Sequence, residues 1–146
     1  MTENIQSGST NILKIFDEMF SKDKDISKYF HKDLEIECRS SLFKCRNFKE
    51  FQEAYNTLRT ILPDFKKIPL SCAMKDDKVF VLYKSSGTHT GEIREGISPT
   101  NKHAEWYSTS IYTMKNGLIT HLLTIFNELD LCKQLGWDVN NLPKLY

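Results

Sequence analysis

The most constraining feature of this sequence is a pair of strand-like segments joined by the dipeptide Asn116-Gly117. Ala104–Met114 and Leu118–Asn127 are both rich in β-branched and aromatic residues, which favour strands. Asn-Gly favours a two-residue turn of the primed type, because both residues adopt positive φ at little cost. The sequence therefore predicts an antiparallel hairpin whose register is fixed by the turn, with the two residues that flank it opposite each other.

This register decides which side chains share a face of the hairpin, because side chains alternate along a strand. Counted from the turn, one face carries Trp106, Ser108, Ser110, Tyr112, His121, Leu123, Ile125 and Asn127. The two serines leave room on this face, and the indole, phenol, imidazole and amide groups supply polar atoms around that room. An apolar hollow with a few convergent polar groups is typical of a small-molecule site. We therefore predict a pocket on this face, shared by Trp106 and Asn127.

The opposite face of the hairpin is rich in threonine and β-branched residues. It is predicted to carry Tyr107, Thr109, Ile111, Thr113, Thr120, Leu122, Thr124 and Phe126. Such a surface is suited to dimer contact through the sheet, so we expect a homodimer.

Helical periodicity dominates the first part of the chain. Apolar residues recur from Ile12 to Phe20 after a plausible cap at Ser9-Thr10. A second stripe follows Asn47, which stands three residues before Glu50 as in a capping box, and Pro63 ends that helix.

Period-two patterns begin after this helix. Phe65–Met74 and Lys78–His89 are predicted strands joined by a turn at Asp76-Asp77, and Pro69 indicates an edge strand or a bulge. Helices first and strands second predict an α+β domain, with the N-terminal helices packed on one face of a curved antiparallel sheet.

Length and composition favour one domain over residues 1–146, with a core of about residues 10–137 and a flexible N-terminus over residues 1–9. The 20 basic and 19 acidic residues nearly balance, which argues against nucleic acid or an anionic membrane as the main partner. No apolar run approaches the ~20 residues that span a bilayer. The four cysteines form no C-x-x-C pair and no zinc-ligand spacing, which favours free thiols in a cytoplasmic protein without a metal or other cofactor.

Four short motifs occur in a characteristic order along the chain. They are Pro63-Asp64, Thr88-His89-Thr90-Gly91, Pro99-Thr100 and Gln134-Leu135-Gly136. In this order and spacing they resemble the SnoaL-like polyketide cyclase family, over about residues 16–137. The resemblance implies the fold shared with nuclear transport factor 2 and ketosteroid isomerase, a cone-like sheet around a hydrophobic pocket, commonly dimeric through the sheet.

The resemblance also exposes a departure at the end of the last strand. The resemblance implies that family cyclases carry an acid/base aspartate at the position where this chain has Asn127. An amide has no titratable proton near neutral pH, so Asn127 can only donate and accept hydrogen bonds. His121 is one substitute, since its unperturbed pKa suits proton transfer, although it lies six residues, on the order of 20 Å, along the strand.

The resemblance places His89 near the cavity as a further candidate. The alternative is that His89 braces the bend at residues 88–91 through backbone hydrogen bonds. The predicted pocket walls are Trp106, Tyr112, Ser108, Ser110, Phe51 and Tyr55, although Trp106 and the helix stripe with Phe51 and Tyr55 are more typical of an ordinary core.

Two functions fit these features. The first is binding of a small hydrophobic or aromatic, carbonyl-bearing molecule, with cofactor-free cyclase or isomerase chemistry by Asn127, His89 and His121 if the protein is an enzyme. The second is a non-catalytic ligand-binding or dimeric interaction module.

Overall fold

The computed structural model describes residues 13–21, 24–93 and 97–145 of the chain. The predicted cap at Ser9-Thr10 and the predicted flexible N-terminus lie outside these residues. The elements are a helical segment over residues 13–19 (α1), a 3₁₀ turn Ser27–Tyr29, β1 Phe30–Cys38, α2 Phe48–Ile61, β2 Lys66–Lys75, β3 Lys78–Thr88, β4 His103–Lys115, β5 Leu118–Phe126 and α3 Glu128–Leu135.

The five strands form one curved sheet in the order β1-β5-β4-β3-β2, which confirms the predicted α+β class. Three of the four strand pairs are antiparallel, but β1 pairs with β5 in parallel. The prediction of a wholly antiparallel sheet is therefore wrong at this edge. The chain leaves β1 and returns to β5 only after α2 and three other strands, so no tight turn sets the direction of that pair.

The predicted capping box begins α2, with one difference. The Asn47 side chain accepts a hydrogen bond from the Glu50 backbone N–H at 3.0 Å. The Glu50 carboxylate does not return to Asn47 but accepts from the backbone N–H of Arg46 at 2.9 Å and from its guanidinium at 2.6 Å. Both ends of the motif are thus satisfied, and α2 ends before Pro63 as predicted.

The edge strand β2 has an irregular register between Pro69 and Ser71. Because proline cannot donate to a ladder, this confirms the interruption predicted from Pro69.

The predicted turn joins β4 to β5, with φ of 50° at Asn116 and 79° at Gly117. The register then shifts: Met114 pairs with Ile119, whereas Thr113 pairs with His121, so Thr120 is an extra residue. Its hydroxyl donates to the Thr113 carbonyl at 3.2 Å. This β-bulge turns every later side chain of β5 to the opposite face.

The bulge corrects the predicted faces of the hairpin. On β4, the residues Trp106, Ser108, Ser110 and Tyr112 do share a buried face. On β5, however, Leu122, Thr124 and Phe126 join them instead of lying on the predicted dimer surface. His121, Leu123, Ile125 and Asn127, which we predicted to share the pocket face, do not.

The helices cover this inner face of the sheet, where the core divides into two groups. One contains α1, β1 and aromatic residues of α2 and β3, and the other contains α3, the end of α2 and the segment that follows α3. Within the described residues, no helix is long and apolar enough to cross a membrane.

Candidate functional site

A cavity of about 80 Å³ lies between α2 and the inner face of the sheet, several times the volume that one water needs. Its walls come from α2, α3, the β1–α2 connection and all five strands. They are Ile36, Cys38, Phe43, Cys45, Phe51, Ala54, Tyr55, Leu58, Phe65, Lys67, Ser85, Trp106, Ser108, Leu122, Thr124, Phe126 and Leu131. No carboxylate belongs to this lining, as far as the described residues extend.

Four of the predicted walls, Phe51, Tyr55, Trp106 and Ser108, border the cavity. Trp106 stacks on Phe65 with ring centroids 6.1 Å apart, which fixes one aromatic wall. The aromatic lining is therefore a wall of the cavity and part of the core at the same time.

The other two predicted walls, Tyr112 and Ser110, lie on the same face but outside the lining. The Tyr112 and Tyr83 hydroxyls are 2.8 Å apart, and the Ser110 hydroxyl is 3.0 Å from that of Thr124. Each of these buried groups therefore has a partner within the protein.

Among the described residues that line the cavity, Lys67 is the one with a basic side chain, and it is only 8% exposed. Its amine donates to the Tyr55 hydroxyl at 2.8 Å and lies 4.2 Å and 4.5 Å from the ring centres of Phe20 and Tyr83. Among the described residues, no carboxylate lies within ion-pair distance of it. Lys67 is thus a buried amine held by a phenol and aromatic faces, with no ion-pair partner in the described part of the chain.

Burial lowers the pKa of Lys67 to about 7, because the charged ammonium loses its hydration. Cys38 and Cys45 act in the opposite direction, and aromatic faces also favour the charged form. The two cysteines carry little charge themselves, since burial raises the pKa of both thiols, that of Cys45 to about 12. The amine therefore exchanges between its charged and neutral forms near neutral pH.

Two serines line the same cavity as this amine. Lys67 pairs with Ser85 across β2 and β3, and Ser85 pairs with Trp106 across β3 and β4, so the three lie in one row on the cavity face. Ser108 follows two residues after Trp106, and its buried hydroxyl has no hydrogen-bond partner within the described part of the chain. Buried polar groups are almost always paired, so the Ser108 hydroxyl, which no other described group of the protein engages, is suited to hydrogen-bond a polar atom of a bound molecule.

Asn127 lies outside the cavity. It is exposed, it precedes α3, and its side chain accepts a hydrogen bond from the Asp130 backbone N–H at 3.1 Å. The prediction that Asn127 and Trp106 share one hollow is wrong, because the bulge at Thr120 moves the later side chains of β5 to the opposite face of the sheet. The amide caps a helix instead.

His121 is likewise on the outer face, where its Nε2 lies 3.2 Å from the Glu37 carboxylate on β1. Neither His121 nor Asn127 belongs to the cavity lining, so the structure places neither of these two predicted catalytic residues at the cavity.

His89 is fully buried beside Trp137 and is absent from the cavity lining. Its Nδ1 accepts hydrogen bonds from the Thr100 backbone N–H at 3.2 Å and from the Trp137 indole N–H at 3.1 Å. Burial lowers the pKa of His89, and the Gly91 backbone opposes this. The imidazole therefore braces the 89–102 loop against the segment after α3, which is the structural alternative that the sequence left open.

Sequence reasoning missed Lys67, and the local pattern explains why. In the segment Lys66-Lys67-Ile68, the apolar Ile68 is the residue expected to face the core, yet it is 49% exposed while Lys67 is buried. One sequence signal could have found Lys67. It lies two residues after Phe65, so the two side chains share one side of the strand, and the apolar Phe65 indicates that this side faces the core.

An α+β sheet with helices over its inner face and an apolar cavity between them is the architecture of the cone-shaped domains with the ketosteroid isomerase-like fold. Residues 11–135 match the model of the SnoaL-like polyketide cyclase family. The chain belongs to this family. No match is found among curated proteins.

Several solved structures are similar to this chain. IdmH from Streptomyces antibioticus is 18% identical, with a TM-score of 0.73 over 87% of this chain and 97% of that one. TsrD from Streptomyces laurentii is 17% identical, with a TM-score of 0.70 over 87% and 93%. A protein with a ketosteroid isomerase-like fold from Catenulispora acidiphila, solved in complex with trimethylamine, is 9% identical, with a TM-score of 0.73 over 92% and 99%. At these identities the similarity shows the fold alone.

Proposed function

We propose that this protein binds a small hydrophobic or aromatic, carbonyl-bearing molecule in the cavity between α2 and the sheet. The observation that carries this proposal is the composition of the cavity wall, in which aromatic and aliphatic side chains surround one amine and a few hydroxyls. The amine and the free Ser108 hydroxyl are both suited to a carbonyl oxygen, which accepts hydrogen bonds.

Tryptophan fluorescence tests this proposal, because Trp106 borders the cavity and Trp137 does not. A panel of aromatic ketones should give a saturable change in emission in the wild type and in Trp137→Phe. The same titration of Trp106→Phe should lose most of that change. A flat response of the wild type across the panel would remove the small-molecule function.

The second candidate is cofactor-free cyclase or isomerase chemistry, which family membership favours. With Asn127 outside the cavity, a base for such chemistry has to come from the cavity wall, and Lys67 is the titratable group there with a pKa near neutrality. Turnover of a ketone that is lost in Lys67→Met, with binding retained, would support this candidate. Binding without turnover in the wild type would favour the non-catalytic module.

We also propose that two copies associate through the outer face of the sheet. Leu82, Thr109 and Ile125 form one row across three strands on that face, and Ile125 and the nearby Tyr107 are more than half exposed. Sedimentation should show a dimer that Ile125→Lys converts to monomer, and a wild-type monomer at high concentration would contradict it.

The single-domain organisation and a cytoplasmic location also remain proposals. The second is supported by the four cysteines, none of which is joined in a disulfide within the described part of the chain.

A further inference from the structure

The buried amine of Lys67 has a role that its packing alone does not explain. Lysine is almost never fully buried without a paired charge, because removing the ammonium from water is costly. Here the amine has one neutral partner, the Tyr55 hydroxyl, and borders an otherwise apolar cavity. A methionine or leucine would fill the same space without this cost, so the amine is a chemical group placed in a binding site.

The surroundings of the amine are those that make an amine nucleophilic. Three aromatic rings, those of Phe20, Tyr55 and Tyr83, lie within 5.4 Å of Nζ and exclude water from one side of it. No carboxylate of the described residues is close enough to hold the amine as an ammonium ion. A desolvated lysine of this kind keeps a lone pair available for carbonyl carbon.

The cavity also provides hydroxyls beside the amine. Ser85 lies directly opposite Lys67 in the neighbouring strand, where Cβ atoms are about 5 Å apart. The unpartnered hydroxyl of Ser108 lines the same cavity from the next strand. An oxygen that becomes a hydroxyl when an amine adds to a carbonyl would find hydrogen-bond partners in this wall.

We propose that Lys67 is a covalent binding residue that forms a Schiff base with an aldehyde or ketone in the cavity. The neutral amine attacks the carbonyl carbon, a C–N bond forms, and the π electron pair moves to oxygen, which takes up a proton from nitrogen. The nitrogen lone pair then forms the C=N bond as the C–O bond breaks, and water leaves with the second amine proton. The balance is one amine and one carbonyl giving one imine and one water, with no oxidant or reductant. This inference rests on the proposed function, because it requires a carbonyl compound to enter the cavity.

The protonation state supports this chemistry at neutral pH. With a pKa of about 7, half of the Lys67 amines are neutral at that pH, whereas a lysine with the ordinary pKa of 10.5 is neutral in only about one molecule in 3,000. The groups that face the amine are the Tyr55 hydroxyl, the rings of Phe20 and Tyr83, and the thiols of Cys38 and Cys45. The two thiols raise the pKa of Lys67 without supplying a fixed charge.

Reductive trapping tests the proposal on the whole wild-type chain. Benzaldehyde at limiting concentration with sodium cyanoborohydride at pH 7 converts an imine into a stable benzyl amine, which peptide mass mapping locates. We expect Lys67 to be labelled at least about tenfold faster than exposed lysines, because of its larger neutral fraction. Lys66 is the matched control, since it is the exposed neighbour in the same strand. Labelling of Lys67 should also level off above about pH 8, while that of Lys66 keeps rising.

Variants separate the possible outcomes. Lys67→Met should abolish the fast labelling, and Lys66→Met should leave it unchanged. If Lys67→Met does not fold, the mapping of the wild type decides by itself. Labelling of Lys67 no faster than that of Lys66, together with a saturable Trp106 response to benzaldehyde, overturns the Schiff base and leaves the binding function intact. Absence of both the label and the fluorescence response overturns both proposals.

Discussion

Replacing Lys67 by methionine should make the stability of this protein less dependent on pH. Methionine has a similar length and no charge, so it fills the same space without the penalty for burying an ammonium ion. In the wild type, the pKa of Lys67 falls from its ordinary value of 10.5 to about 7 on folding. Between these values the unfolded chain binds one more proton than the folded one, so wild-type stability rises with pH through this window.

The expected size follows from the two pKa values. Each pKa unit corresponds to about 1.4 kcal/mol, so below pH 7 the folded wild type carries a penalty of roughly 5 kcal/mol that the methionine variant lacks. Raising the pH from 6 to 9 should remove roughly half of that penalty. The stability advantage of Lys67→Met over the wild type should therefore shrink by this amount between the two pH values.

Urea unfolding followed by tryptophan emission at pH 6, 7, 8 and 9 measures this difference. Other groups titrate in both proteins alike and largely cancel when the free energies of unfolding are subtracted. Lys66→Met is the control, because Lys66 is exposed in the same strand and its replacement should give a difference independent of pH. A constant difference for Lys67→Met across this range would refute the reasoning, since it would mean that the amine stays charged when folded.

Three further predictions follow from the fold and its hairpin. Asn127→Asp should change stability by less than about 0.5 kcal/mol in urea unfolding and add no proton-transfer activity on a ketone substrate, since both residues cap helices well and the position is outside the cavity. A gain in turnover would contradict this. Tyr83→Phe and Tyr112→Phe should each cost about 1–2 kcal/mol by thermal unfolding, because each removes the hydroxyl that lies 2.8 Å from the other, and the double variant should cost less than their sum; simple additivity would count against the pair. Deleting Thr120 should preserve the fold by removing the bulge, whereas deleting Leu123 should cost at least about 2 kcal/mol more by turning the rest of β5 over; equal losses in calorimetry would argue against the register.

Local chemistry made much of the fold predictable from sequence. Asn116-Gly117 determines its turn because few other pairs accept two consecutive positive φ values. Asn47 and Pro63 mark the ends of α2, and Pro69 marks the interruption in β2, since each acts through its own backbone or cap. Features of this kind depend on neighbours within a few residues.

The candidate site was less predictable for two reasons. One extra residue changes the register of β5, and in β2 a lysine is buried while the neighbouring isoleucine is exposed. Threonine is a good strand residue, so nothing local identifies Thr120 as a bulge, yet it reverses the face of every later residue of β5. Both faces of the hairpin mix polar and apolar residues, so the pattern of hydrophobicity did not reveal that the predicted register of β5 was wrong. Lys67 was hidden for a related reason, because its burial depends on the cavity that α2 and the sheet enclose together.

The parallel pairing of β1 with β5 has a consequence for synthesis of the chain. Phe30 and Ile119 are partners although 88 residues of chain separate them, so the first strand to leave the ribosome gains its neighbour only when the last strand has emerged. Closing so large a loop is slow, and unpaired strand edges attract other chains while they wait. The nascent protein should therefore depend most on chaperones just before the residues beyond Gly117 are released.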